Sequence, residues 1–156
     1  MHSHLVAVGK RMPAWVVAGF NEYNNRLPRE LHLNLVEIPP VVRTKSTTVR
    51  KALAEEARRI CAALPRKALV IALDEHGEQF DSNTLSRKIA SWNAQGRDLA
   101  FIIGGADGLD DEFKQTANIF WSLSTMTLPH AMVRIIVAEQ IYRAWTILQG
   151  HPYHRE

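Results

Sequence analysis

The sequence predicts an α/β fold with a mostly parallel sheet flanked by helices, and three observations carry that expectation. Two apolar runs, residues 68–73 and Leu99–Ile103, are continuous rather than alternating, the pattern of strands covered on both faces. Strand-like and helix-like segments alternate along the chain, the order that builds a parallel sheet with helical crossovers. The 156 residues, 46% of them apolar, suffice for one sizeable core and fall short of two ordinary domains, so residues 1–156 read as a single domain.

Taken in order, Leu5, Val6, Ala7 and Val8 form a first strand, and Pro13 sits where a helix begins, with Trp15, Phe20, Tyr23 and Leu27 on its apolar face. Leu31, Leu33 and Leu35 alternate into a second strand that runs to Ile38 and is stopped by Pro39 and Pro40. Ser46 or Thr47 caps a helix with Val49, Leu53, Ala57, Ile60 and Leu64 at three- and four-residue spacing, ended by Pro65. The run 68–73 is a central strand, after which Asp81 or Ser82 caps a helix with Leu85, Ile89 and Trp92 on one face and Gly96 at its end. Residues 99–103 form a further buried strand, broken by Gly104 and Gly105. A short helix over 111–117 and a fifth strand over 119–123 follow.

The last element, over about 130–149, carries two apolar stripes: Val133, Val137, Ile141, Ala144 and Leu148 on one, Met132, Ile135, Ala138, Tyr142 and Trp145 on the other. A helix packed on its own sheet needs one stripe, so the second predicts a homodimer, the alternative being a helix sandwiched wholly within its domain.

Charge and cysteine content bound the function. Nineteen Lys and Arg against sixteen Asp and Glu give +3, which suits an anionic partner without demanding one. Arg43, Lys45, Arg50, Lys51, Arg58, Arg59, Arg66 and Lys67 crowd one stretch and read as a solvated helix face or a nucleic-acid footprint. Cys61, the one cysteine, excludes an internal disulfide and a four-thiolate metal site, and reads as a small buried hydrophobe. The first residues lack a leader pattern and no apolar run approaches membrane-spanning length, so a cytoplasmic protein with no membrane partner is expected.

In parallel sheets ligands bind beyond the carboxyl ends of strands, and three loops leave such ends: 74–78, 104–108 and 124–130. The second, with Gly104, Gly105 and Gly108, lets a ligand approach the main chain closely but is no phosphate loop, and the first strand does not enter a Gly-x-Gly-x-x-Gly turn. The third is dense in small hydroxyl residues, whose main-chain groups suit a heteroaromatic ring; otherwise it is an ordinary loop capped by Thr127. Ser122 and Ser124 lie outside any Gly-x-Ser-x-Gly elbow. The tail from Gly150 to Glu156 combines aromatic, imidazole and guanidinium groups able to stack on a base and hold a phosphate; His151, His154 and His130 are the alternative as zinc ligands, and no metal is expected.

Residues 102–108 (Ile-Ile-Gly-Gly-Ala-Asp-Gly), the run Trp121 to His130, Val133-Arg134 through Glu139 to Ala144, and His151-Pro152-Tyr153-His154 together resemble the large-subunit rRNA pseudouridine N3-methyltransferases of the SPOUT superfamily. The likeness spans the whole chain, and the ordered set is more specific than any member of it. The resemblance implies a single homodimeric SPOUT domain with a C-terminal trefoil knot, which sequence rules alone would not suggest. It also implies S-adenosyl-L-methionine held by Leu73, Gly104, Gly105, Leu123, Ser124, Thr125, Met126, Thr127 and Leu128. The implied substrate is a pseudouridine in a 23S rRNA hairpin loop at the ribosomal subunit interface, met in the assembled ribosome.

Methylation at N3 needs alignment, loss of the imide proton and stabilisation of charge on the ring. His154 or His130 is a proton acceptor on this reading. Arg155, Arg134 and Arg143 contact phosphate or ring, and Tyr142 and Tyr153 stack on the base. Arg143 has an ion pair with Glu139 as its alternative, and Tyr142 a place in the core. Lys10, Arg11, Arg43 and Lys45 add sequence-independent attraction to phosphates. Two rival functions fit the same residues: a SPOUT enzyme acting on another RNA such as tRNA, and a non-enzymatic ribosome-binding module.

Overall fold

A computed structural model describes residues 1–155. Five strands form one sheet: β1 (Ser3–Val8), β2 (Leu33–Ile38), β3 (Leu69–Glu78), β4 (Leu99–Ile103) and β5 (Ile119–Trp121). Their order is β2-β1-β4-β3-β5, and every neighbouring pair is parallel. The expected parallel sheet is thus observed. The helices are α1 (Ala14–Asn24), α2 (Val49–Ala63), α3 (Ser82–Ala94), α4 (Asp111–Lys114) and α5 (His130–Gln149), followed by a 3-10 turn, Pro152–Arg155.

Strand residues alternate between two cores because successive side chains leave a strand on opposite faces. Leu5, Ala7, Ile71, Phe101 and Ile103 pack under α1, α3 and α5, against Phe20, Leu85, Ile89, Trp92, Val137 and Ile141. Val6, Val8, Val70, Ala72, Ala100 and Ile102 face the other way, against Ile60 of α2 and Phe113 of α4. With both faces covered, the strands hold few polar side chains, which is why they read as unbroken apolar runs.

Several local expectations are corrected. The cap of α2 is Thr48, whose hydroxyl accepts from Lys51 N at 3.1 Å; Ser46 and Thr47 instead share hydroxyl hydrogen bonds with Thr44. Asp81 does cap α3, accepting from Thr84 N at 2.8 Å. α4 stops at Lys114 rather than at residue 117, where turns at Thr116 and Ala117 replace the helix. β5 ends at Trp121, although Ser122 N still donates to Glu78 O at 2.9 Å. Cys61 is exposed, not buried, because it falls on the outer side of α2 while Ile60 faces the sheet.

β3 is longer than its apolar run. It continues to Glu78 with a register shift against β5 between Leu73 and Glu78, so residues 74–77 bulge from the sheet edge instead of forming a free loop. Gly77 permits this, since a Cβ there would stand 2.7 Å from the Phe120 carbonyl carbon.

Both stripes of α5 are largely consumed within the chain. Val137, Ala138, Ile141, Tyr142 and Ala144 are buried, α1 and α3 packing on the helix with β4 beneath, and only Met132 and Leu148 are well exposed. The second stripe therefore does not by itself call for a partner.

Candidate active site

The carboxyl ends of three adjacent strands, β4, β3 and β5, open into one cavity of about 420 Å³. Leu73 ends the apolar part of β3, Ile103 ends β4, and Trp121 ends β5. The cavity is lined by Leu73, Gly104, Gly105, Leu123, Ser124, Met126, Thr127 and Leu128; Thr125, also expected there, is not among its lining residues. His130 and Val133 of α5 close another side.

Each segment is shaped by its own chemistry. After β4 the chain turns back on itself, with Gly108 N donating to Gly105 O at 3.0 Å. A Cβ on Gly104 would lie 2.6 Å from the carbonyl carbon and oxygen of Gly108, so this glycine is needed for close main-chain approach. In the third loop Ser122 Oγ donates to Ser124 O at 3.0 Å, and Met126 N donates to Ser124 Oγ at 2.9 Å. Thr127 does not cap α5; its hydroxyl donates to Glu75 at 3.3 Å, and Pro129 precedes the helix without a side-chain cap.

Charged groups rim the cavity. Asp74 pairs with Lys114 Nζ at 3.2 Å and accepts from His76 N at 3.1 Å. Burial pushes the Asp74 carboxyl up, but those two hydrogen bonds and the neighbouring positive charge together hold it below the usual carboxylate range. Asp107 is bound by Arg43 at 2.7 Å. Asp74, Glu75 and Asp107 line the cavity from two of the loops that the sequence placed at strand ends, although no role was given to them there, and Lys114 is a lining residue that sequence reasoning missed.

The other expected site residues are scattered. Lys10, Arg11 and Lys45 are exposed. Arg43 is tied down by Asp107, with Glu56 at 3.4 Å. Arg134 is 2% exposed, so the expected phosphate contact is corrected: its guanidinium donates to Glu37 Oε2 at 2.8 Å and to Gly9 O at 2.9 Å. Tyr142 is also buried, packed edge-on against Tyr153 at 4.7 Å, and presents no open face to a base. Arg143 pairs with Glu139 at 2.6 Å, the alternative foreseen for it, and its guanidinium lies over the Tyr153 ring.

The turn 152–155 folds along α5 of its own chain, where Tyr153 Oη donates to Glu139 at 3.1 Å. Burial first, then the Glu139 carboxylate, raises the Tyr153 hydroxyl, so it stays protonated. His154 and Arg155 do not line the cavity, and of the two expected proton acceptors only His130 does. Its Nδ1 is buried without a hydrogen-bond partner.

Residues 1–154 match the family model described as predicted SPOUT methyltransferase. The chain belongs to the SPOUT methyltransferase family. Enzymes of this family take their methyl group from S-adenosylmethionine. The chain is 52% identical over 156 residues, all of both chains, to a protein of Thioalkalivibrio sulfidiphilus (strain HL-EbGR7) named ribosomal RNA large subunit methyltransferase H. It is 54% identical over 151 residues, 97% of each chain, to the protein of that name in Janthinobacterium sp. (strain Marseille). The fold is shared with a probable methyltransferase from Bordetella pertussis Tohama I (TM-score 0.58, 14% identity, 92% of this chain and 93% of that one). It is shared as well with a probable methylase family protein from Haemophilus influenzae Rd KW20 (TM-score 0.58, 14% identity, 97% and 69%).

The cavity itself suits the family's methyl donor. Its volume lies in the range of small-molecule sites. Leu73, Ile103, Leu123 and Leu128 offer apolar walls to an adenine ring, while Gly104 lets the 104–108 turn close on itself at the cavity wall. Glu75 puts a carboxylate on the rim, which favours a sulfonium or an ammonium, whereas Asp74 and Asp107 are already met by Lys114 and Arg43.

Proposed function

We propose that the chain methylates N3 of a pseudouridine in a hairpin loop of 23S rRNA, at the subunit interface of the assembled ribosome, with S-adenosylmethionine as donor. The observation that carries this reading is the single cavity at the ends of β4, β3 and β5, walled by the residues whose order along the chain resembles that rRNA methyltransferase family. Relatives about half identical over their full length, named for large-subunit ribosomal RNA, support the substrate class. A ribosomal substrate also places the reaction in the cytoplasm.

The donor supplies an electrophilic methyl group on a sulfonium. Everything else falls to the chain. Main-chain groups of 104–108 and 123–128 orient the adenosyl moiety, and the apolar strand ends exclude water around it. His130, at the cavity wall, accepts the imide proton, directly or through a water. Lys10, Arg11 and Lys45 hold rRNA phosphates. Looped bases are already partly unstacked, which lowers the cost of presenting one to the cavity.

In this reading the protein is a homodimer whose C-terminal segment is threaded into a trefoil knot. Support for the dimer comes from the α1–β2 face rather than from α5: Val17 and Leu35 are exposed beside a second cavity of about 290 Å³, and Trp15 is 58% exposed. The reading is tested by mass spectrometry of rRNA from a strain lacking the protein, before and after its ribosomes are incubated with purified protein and S-adenosylmethionine. One pseudouridine should lack its methyl group and regain it; unchanged rRNA, with methyl transfer appearing on tRNA or nowhere, would overturn the assignment.

A further inference from the structure

We propose that Arg134 is a positioning residue of the methyl-transfer site, acting through the buried tie it makes between the start of α5 and the carboxyl ends of β1 and β2. The inference rests on the donor site proposed above. Arg134 heads the fully buried side chains by volume. Removal of a guanidinium from water is recovered only where partners meet it. Nη1 reaches Glu37 Oε2 at 2.8 Å, one residue before the end of β2, and Nη2 reaches Gly9 O at 2.9 Å, one residue past the end of β1. An apolar side chain of similar volume would fill the space. It would not fix distance and angle, as two bonds from a planar fork to two different strands do.

The object so fixed is the cavity wall. His130 lies one turn before Arg134 on the same helix, Val133 lies next to it, and both line the donor cavity. The first turn of α5 has no side-chain cap and no acidic residue, and Arg134 bonds this end of the helix to β2 and to the chain just past β1. Gly9, with φ +126°, meets both side chains: a Cβ there would stand 3.5 Å from Arg134 Nη2 and 3.7 Å from His130 Cε1. His130 Nδ1 has no hydrogen bond to hold it, so the ring takes its place from packing at Gly9 and from the helix that Arg134 anchors.

The test is calorimetric titration of S-adenosylhomocysteine into the full-length protein and its Arg134→Met, Arg134→Lys and Glu37→Ala variants, with each melting temperature measured alongside. Loss of the tie should weaken binding roughly tenfold or more, or about 1.4 kcal/mol, in every folded variant. Arg134→Met should do so even if it melts no lower than the parent, because it restores volume without direction. Should one Arg134 variant fail to fold, the other and Glu37→Ala carry the test. Folded variants that bind with the parent's Kd, whatever their melting temperatures, would overturn the positioning role. A parent that gives no heat would instead overturn the donor-site reading beneath it.

Discussion

At the scale of single residues, the site depends on one missing side chain and one unpartnered nitrogen. Adding a Cβ at Gly104 drives it against Gly108 main chain that has no flexible end to yield. Gly104→Ala is therefore expected to lose roughly 1–3 kcal/mol of stability, read as a lower urea midpoint, and to lose S-adenosylhomocysteine binding at the same time. Gly96→Ala, with nothing within 4 Å of its Cβ but a φ of +67°, should lower the midpoint and leave binding intact. If His130 accepts the imide proton, His130→Gln should reduce kcat by roughly 10²-fold or more with little change in donor affinity. Single-turnover methylation of ribosomes would measure this, and an unchanged rate would remove His130 from the chemistry.

At the scale of elements, caps and bulges set where the helices and strands end. Thr48, not its neighbours, accepts from the free Lys51 N–H at the start of α2, so Thr48→Ala should cost about 1 kcal/mol in urea unfolding, and Ser46→Ala and Thr47→Ala much less. The bulge of β3 brings Asp74 to Lys114 of α4, and the sign of its pH dependence follows from the lowered carboxyl pKa. A carboxyl depressed on folding stabilises above its unfolded value, near pH 4, and that contribution is lost as pH falls through the folded value. Lys114→Met should thus be less stable than the parent at neutral pH, by about 1 kcal/mol or less. The gap should close in acid, since Asp74 then carries no charge for Lys114 to meet. A gap that stays constant from neutral to acid would show that the pair contributes through packing alone.

At the scale of the whole molecule, the question is what lies outside the covered sheet. α1, α3 and α5 bury one face and α2 and α4 the other, leaving Trp15, Val17 and Leu35 as apolar surface near the β2 edge. If that surface is the dimer contact, Val17→Glu combined with Leu35→Glu should convert a dimer to a monomer in sedimentation at micromolar concentration. The basic residues give a second whole-molecule expectation. Ribosome binding should weaken with added salt, and Lys10→Ala, Arg11→Ala and Lys45→Ala should flatten that dependence. Arg43→Ala should flatten it less, because Arg43 is already held by Asp107.

The sequence determined the α/β class, the parallel strands and the loops 104–108 and 124–130 at strand carboxyl ends, while the choice of Leu73, Gly104 and 123–128 as donor residues came from the family resemblance. The class, the strands and the loops follow from short-range chemistry: unbroken apolar runs mark doubly covered strands, and the break at Gly104 marks where a loop leaves, whereas the end of β5 at Trp121 came only with the structure. Position along the chain could not tell which of several similar polar groups a third segment would engage. Ser46, Thr47 and Thr48 look alike until α2 is built; Arg134 looks like a surface cation until Glu37 and Gly9, about a hundred residues earlier, arrive beside it. Likewise the second stripe of α5 suggested a partner chain until α1 and α3 packed against that helix. Only the tertiary structure decided these, because burial and charge pairing are set by contacts between distant segments, whose geometry no local pattern encodes.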